Sequence, residues 1–173
     1  MAPGEGIPLR NMGIHQVDGA ISDWLTRAQG EPAHAWHEWS DVGVALLPLG
    51  RAFVAPRLPE ALVHAAVGTK GPDKVTECLE RYLRGPVIYD GRTMGGTYYA
   101  LMEQHDRAAW RHQDVAPLLG RGTYLGVPRL DRREPPGTHW AVPPHFTGDL
   151  CAPRHVADLI ARGRERLATG LEQ

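Results

Sequence analysis

The chain has 173 residues, a formal net charge of −1, 42% hydrophobic residues and 23% charged residues. These values are typical of a globular protein with one core. The balanced charge argues against tight non-specific binding to DNA or to an anionic membrane, and it leaves room for a local basic patch.

The N-terminal sequence and the cysteines bear on location. Residues 1–15 contain no apolar stretch of the kind found in secretory signals, and the longest apolar runs, such as 42–49, are too short to span a bilayer. Cys78 and Cys151 lie far apart, which favours reduced thiols. The sequence therefore predicts a cytoplasmic protein with no membrane partner.

The first third of the chain predicts an arm, a helix and a hairpin. Residues 1–16 hold three glycines and two prolines without periodicity, so a flexible N-terminal arm is expected before a single α+β domain over 17–173. Apolar residues at helical spacing predict a helix over 17–28, and an irregular segment is expected over 31–40. Strands over 41–47 and 51–58 are predicted to form a hairpin through a type I turn at 47–50.

The remainder predicts further helices and two long hairpins. Helices are expected from Pro59 to Gly68 and from Val75 to Leu83, and a last helix follows Pro153, weakened but not broken by Gly163. One hairpin pairs 87–89 with 97–102, and the other pairs 123–127 with 139–142. The order predicts an α+β fold, with a largely antiparallel sheet of about six strands and helices packed on one side.

Motifs for catalysis and for metal binding are incomplete. His34 and His37 stand three residues apart, as two zinc ligands on a helix do, but no nearby residues supply a third and fourth ligand. Neither a GxSxG elbow nor a GxxxxGK[ST] loop occurs. Cys151 precedes His155, where packing at a helix start is favoured over a Cys/His dyad. No catalytic residue, metal ligand or cofactor is therefore predicted.

The most informative polar feature is a set of arginines interleaved with aromatic residues around the predicted strands. Arginine beside exposed aromatic faces on a sheet is typical of sites that hold nucleotides or single-stranded nucleic acid. The alternative is that the aromatic residues form the core and the arginines make ion pairs on its rim. The candidate binding residues are Arg51, Arg57, Arg92, Tyr99, Arg121, Arg129, His139 and Trp140.

Three glycine-containing stretches carry a family resemblance. Gly-Gly-Thr-Tyr-Tyr (95–99), Gly-Arg-Gly-Thr-Tyr-Leu-Gly-Val-Pro (120–128) and Gly-Thr-His-Trp (137–140) resemble the later half of bifunctional DNA primase/polymerase N-terminal domains. The resemblance covers roughly residues 85–145. The whole chain also resembles a group of actinobacterial, Streptomyces-like proteins with Leu-Pro-Leu-Gly-Arg (47–51), Gly-Pro-Val-Ile (85–88) and Trp-Ala-Val-Pro-Pro (140–144), which implies a source and no activity.

The chain departs from the polymerase pattern at its metal site. That family holds its metals with an Asp-x-Asp pair on an early strand, whereas this chain has Val44-Ala45-Leu46-Leu47, preceded by Asp41 alone. Nucleotidyl transfer with two metals needs such carboxylates. The resemblance therefore implies a non-catalytic, degenerate relative that binds a nucleotide or a nucleic acid.

Two other functions stay open. Trp24, Trp36 and Trp39 could anchor a protein partner, which would make the chain a regulatory partner of a transcription regulator without a small ligand. An unrecognised enzyme would use His64, Asp131 or His139 as acid or base, and a pocket that gathers two of them would favour this function. The sequence leaves the oligomeric state open.

Overall fold

The computed structural model describes residues 14–92 and 94–171 as five α-helices and seven strands. The predicted arm therefore lies outside the described residues except for 14–16, which begin the first helix. No helix in these two ranges combines the length and the apolar character needed to cross a membrane. The elements are α1 (Ile14–Thr26), α2 (Pro32–Val42), β1 (Val44–Pro48), β2 (Ala55–Pro59), α3 (Glu60–Val67), α4 (Pro72–Leu83), β3 (Val87–Asp90), β4 (Thr97–Ala100), β5 (Leu118–Leu119), β6 (Tyr124–Pro128), β7 (Thr138–Val142) and α5 (Pro153–Leu171).

The strands form two antiparallel sheets. Five strands make the central sheet in the order β5-β2-β4-β3-β7, and β1 pairs with β6 in a separate two-stranded ribbon. In β7 the register shifts by one residue, because Trp140 lies opposite Ile88 whereas Val142 lies opposite Val87, which leaves Ala141 as a bulge.

Both faces of the central sheet are covered. On one face Leu58, Val87 and Val142 pack under α3, α4 and α5. On the other face Ile88 and Trp140 pack under the ribbon together with α1 and α2. Side chains that alternate along each strand therefore supply two separate hydrophobic clusters.

The predicted fold class is confirmed, since helices and antiparallel sheets make an α+β fold. The β3–β4 hairpin also forms as predicted, with Val87 opposite Ala100 and Asp90 opposite Thr97. The helices are expected on one side of the sheet, and α3, α4 and α5 do share one face. The helices α1 and α2 instead belong to the cluster on the opposite face.

Two predicted hairpins are wrong. The strand at 44–48 pairs with β6, not with β2, and β7 pairs with β3, not with β6. The predicted turn at 47–50 does not form, because β1 continues through Pro48 and the chain bends over 49–52. The amide of Leu49 donates to the carbonyl oxygen of Thr123, and that of Gly50 donates to the carbonyl oxygen of Phe53. β1 and β2 do not pair because they belong to different sheets. β1 lies in the ribbon, where Ala45 and Leu47 are buried, whereas β2 lies in the central sheet.

The segment predicted to be irregular, 31–40, is the helix α2. Pro32 occupies its first turn, and Ala35 and Trp39 bury one face at a spacing of four residues. The indole Nε1 of Trp39 donates to the carbonyl oxygen of Val127 at 2.9 Å, which fixes the helix to the ribbon.

Gly163 is the point at which α5 meets α3. A Cβ atom there would lie 2.6 Å from the backbone oxygen of Leu62 and 2.8 Å from its Cδ1. The glycine that the sequence marks as a weak point of the helix is therefore needed for close packing.

We expect Gly163→Ala to destabilise the protein, although alanine favours a helix by about 1 kcal/mol over glycine. The steric cost, roughly 1–3 kcal/mol, exceeds that gain because Leu62 contributes a backbone atom that cannot turn aside. Urea unfolding followed by circular dichroism measures the change. Gly170→Ala is the matched control on the same helix, because nothing lies within 4 Å of its Cβ position; equal effects of the two substitutions would contradict the explanation.

Candidate functional site

Three of the eight candidate residues share one cleft, which we call the arginine cleft. Arg57 on β2 lies opposite Tyr99 on β4, so the two side chains are neighbours on one face of the sheet. Arg92 follows β3 at the same end of the sheet and also lines the cleft. The ribbon supplies the facing wall through Leu46 and Tyr124, which are 54% and 64% exposed.

The arginine cleft is small, aromatic and basic. Its volume is ≈ 250 Å³. Arg57 makes no ion pair and no side-chain hydrogen bond with any residue that the structure describes. With Arg92 and the single acid Asp90, the charged residues lining the cleft sum to +1.

Asp90 and Arg92 form a bidentate ion pair. Nε of Arg92 lies 3.0 Å from Oδ1 of Asp90 and Nη2 lies 3.0 Å from Oδ2, and the backbone amide of Arg92 donates to Oδ1 as well. The hydrogen bond from the Arg92 guanidinium holds the pKa of Asp90 below its ordinary value. Two of the five guanidinium N–H groups are used in this pair, so three remain for an anion.

The other candidate residues lie elsewhere. Arg51 and Arg121 are exposed, and Arg121 lines a separate hollow beside Gly50 and Gln104. Arg129 makes an ion pair with Asp131 at 2.6 Å, as the rim alternative expects. The eight candidate residues therefore do not converge on one site.

Two of the tryptophans predicted to contact a ligand or a protein partner are buried in the core. Trp140 is 1% exposed, and its Nε1 donates to the carbonyl oxygen of Pro128 at 3.0 Å, so its ring fills the core instead of stacking on a ligand. Trp39 is 3% exposed and belongs to the same cluster. Of the three tryptophans proposed for a partner, Trp36 is exposed, whereas Trp24 is half-buried against Phe53.

A second cleft, which we call the His64 cleft, lies on the opposite face at the same end of the sheet. Its volume is ≈ 350 Å³. Two histidines that the sequence names as acid or base candidates, His64 and His139, both line it, whereas Asp131 does not. The cleft thus gathers two of the three candidates, the arrangement that favours the alternative of an unrecognised enzyme. Glu60 and His64 come from α3, and the sheet contributes Tyr89, Tyr98 and His139.

A hydrogen-bond network joins these side chains. The hydroxyl of Tyr89 donates to Oε1 of Glu60 at 3.1 Å, and Nε2 of His64 lies 3.3 Å from the Tyr98 hydroxyl and 3.7 Å from Oε1 of Glu60. Because the Tyr98 hydroxyl has no other hydrogen-bond partner among the described residues, we assign it as the donor and Nε2 of neutral His64 as the acceptor.

Burial controls the protonation of this network. Burial lowers the pKa of His64 below its ordinary value, against the opposing attraction of Glu60. Burial also raises the pKa of Tyr89 and of Tyr98, and Glu60 adds to both shifts. At neutral pH His64 is therefore neutral, and Tyr89 and Tyr98 keep their phenolic protons.

Gly96 makes room for the network. A Cβ atom at this position would lie 2.5 Å from the Tyr89 hydroxyl and 2.6 Å from Oε2 of Glu60. Its φ of +56° also belongs to the left-handed region that glycine adopts without strain. The glycine stretch in the sequence thus serves the His64 cleft from the loop before β4.

Other reactive groups do not form a site. Cys151 is fully buried, burial raises its pKa, and its Sγ contacts the carbonyl oxygen of Pro86 at 3.6 Å. The described part of the chain contains no group of three or more His, Cys, Asp or Glu residues able to hold a metal ion.

The sequence alone did not identify the carboxylate of the second cleft. Glu60 and His64 stand four residues apart on α3, a spacing that places two side chains on one helix face and was available as a signal. Tyr89 carried no such signal, because its role depends on the pairing of β3 with β4 and β7.

Comparison with protein-family models, with curated proteins and with solved structures found no match to this chain. The resemblance to primase/polymerase domains therefore stays a prediction.

We expect the free energy of unfolding to fall as the pH is lowered from about 7.5 to about 5. The unfolded chain protonates His64 near its ordinary pKa of 6.5, whereas the folded protein resists that proton. The stabilising contribution is thus complete above pH 6.5 and is lost as the pH falls through the lowered pKa. Urea unfolding across this range should show a shallower pH dependence in His64→Gln. Because burial lowers the pKa of His112 as well, part of the slope remains in that variant; identical slopes would contradict the assignment.

Proposed function

We propose that the arginine cleft binds a nucleotide unit without catalysis, either as a free mononucleotide or within a single strand. The observation that carries the proposal is the combination of Arg57, Arg92 and Tyr99 on the sheet with Tyr124 on the facing ribbon. A phosphate needs cationic N–H donors, and a base needs an exposed aromatic face.

Arg57 is the main phosphate ligand in this proposal. It is exposed and makes no ion pair with a described residue, so binding an anion breaks no contact within the protein. Arg92 adds its remaining donors while Asp90 holds its guanidinium in place. The Asp90–Arg92 pair therefore orients the Arg92 guanidinium and leaves it able to bind an anion.

Tyr124 is the main stacking surface. Its ring is 64% exposed, far more than expected for an aromatic side chain that only fills a core. Tyr99 is half-buried on the floor of the cleft beside Arg57. A volume of ≈ 250 Å³ is below the roughly 300–1,000 Å³ of small-molecule sites, so the cleft would enclose only part of one nucleotide unit, and weak and salt-dependent binding is expected.

The family resemblance adds support. The stretch 95–99 provides Tyr99, the stretch 120–128 provides Tyr124 and the stretch 137–140 provides Thr138, so all three resembling stretches contribute to the same cleft. A degenerate relative of primase/polymerase domains would keep the nucleotide-binding surface after losing the metal-binding acids.

We expect Arg57→Ala to weaken binding of a fluorescent oligothymidylate by about tenfold at low salt, the effect of one charge-assisted hydrogen bond. It should also reduce the slope of log affinity against log salt concentration by about 0.7, the contribution of one phosphate contact on a single strand. Arg121→Ala is the charge-matched control, because Arg121 is exposed and lies outside the cleft. Fluorescence anisotropy measures both. Equal losses in the two variants, or no binding by the native protein, would refute the proposal.

Tyr124→Ala tests the stacking surface separately. Loss of one base–aromatic stack costs roughly 1–3 kcal/mol, so binding should weaken by about tenfold or more while the salt slope stays unchanged. Tyr124→Phe keeps the aromatic face and should bind like the native protein. Competition by AMP distinguishes a mononucleotide site from a strand site, since a mononucleotide site is emptied by AMP. If Tyr124→Ala bound normally, the ring would have no role in recognition.

A further inference from the structure

The His64 cleft combines a carboxylate with aromatic walls. Glu60 has a side chain that is 29% exposed, and Tyr89 holds it by donating to Oε1. Oε2 accepts no hydrogen bond from a described side chain, so it is free to accept one from a ligand. The carboxylate is thus fixed in position and still accessible.

Three rings form a continuous wall next to this carboxylate. The ring centroids of Tyr89 and Tyr98 are 4.8 Å apart, and those of Tyr89 and His139 are 5.4 Å apart. Aromatic faces attract organic cations, most strongly where water is excluded. A fixed carboxylate beside aromatic faces is the combination that recognises an ammonium group.

His139 supplies an independent observation. The side chain is about nine-tenths buried and lines the cleft. Its Nδ1 bonds to the carbonyl oxygen of Gly137 at 3.1 Å, whereas Nε2 has no partner among the described residues. When Nδ1 carries the proton, Nε2 presents a lone pair that accepts an N–H from a ligand.

The charges around the cleft favour the same ligand class. Its lining includes three acids and two bases besides the histidines, which sums to −1. The groups facing His64 are Glu60 on its own helix, Lys70 after that helix, Asp73 on α4, Tyr89, Tyr98 and His139 on the sheet, and Arg133 and Glu134 on the loop before β7. Neutral His64 adds no positive charge, so the cleft keeps its acidic balance at neutral pH.

We propose that the His64 cleft is a second ligand site, which takes a small organic ammonium ion bound by Glu60 and His139 against the ring of Tyr89. The volume of ≈ 350 Å³ lies at the lower end of small-molecule sites, roughly 300–1,000 Å³, and suits an amine with one ring. The site is independent of nucleotide binding, since it lies on the other face of the sheet and shares no lining residue with the arginine cleft.

The test uses phenethylammonium as the probe and 2-phenylethanol as its uncharged counterpart. Nuclear magnetic resonance titration of the ¹⁵N-labelled full chain should show the amine binding at the His64 cleft and the alcohol binding at least about tenfold more weakly. The alcohol can still donate a hydrogen bond to Glu60, but it lacks the positive charge that strengthens that bond. Absence of amine binding, shifts located elsewhere, or equal binding of the alcohol would each overturn the proposal.

Glu60→Gln tests the carboxylate and should weaken amine binding by about tenfold. Glu103→Gln is the control with the same chemical change, because Glu103 is exposed and lies outside the cleft. Circular dichroism verifies that each variant is folded. If Glu60→Gln fails to fold, the native protein decides the question through the comparison of the amine with the alcohol. The proposal then stands only if the shifts lie at the His64 cleft and the alcohol binds more weakly.

Discussion

The alternation of side chains along the central strands is the constraint on which both clefts depend. On β4, Tyr98 joins the network of His64, whereas the next residue, Tyr99, lies in the arginine cleft. Adjacent residues of β3 divide in the same way, since Tyr89 bonds to Glu60 and Asp90 bonds to Arg92. One end of a single sheet thus lines two clefts with different charge, one on each face of the sheet.

The ribbon determines how much of the sheet stays open on the basic side. Two indole N–H groups, from Trp39 and Trp140, donate to the carbonyl oxygens of the consecutive residues Val127 and Pro128. They fix the ribbon to the sheet, with Leu46 and Tyr124 on the wall of the arginine cleft that faces Arg57 and Tyr99. Because these indoles are buried, their contribution is structural, whereas the tyrosine on the ribbon stays exposed.

Local sequence signals predicted what depends on local contacts. Prolines and glycines at their ends marked α3 and α4, and the glycines at 91–96 marked the β3–β4 hairpin. The same reasoning failed for β1, because the partner of Val44 is Pro128, and such a distant pairing is selected by burial in the tertiary structure. The same reasoning also grouped into one candidate site residues that lie apart in the structure. Arginine and aromatic residues indicated nucleotide binding, which stays a prediction, but the sequence does not reveal which of these side chains are buried or ion-paired. Trp140 is buried in the core, and Arg129 makes an ion pair with Asp131.

The bulge at Ala141 is a position at which the strand β7 can differ in length by one residue. In a regular strand, loss of one residue exchanges the two faces of everything beyond it. Here Trp140 and Val142 already lie on opposite faces, as directly consecutive residues would. A deletion of Ala141 therefore leaves the orientation of both neighbours intact, and homologous chains that differ by one residue at this position would keep each neighbour on its own face of the sheet.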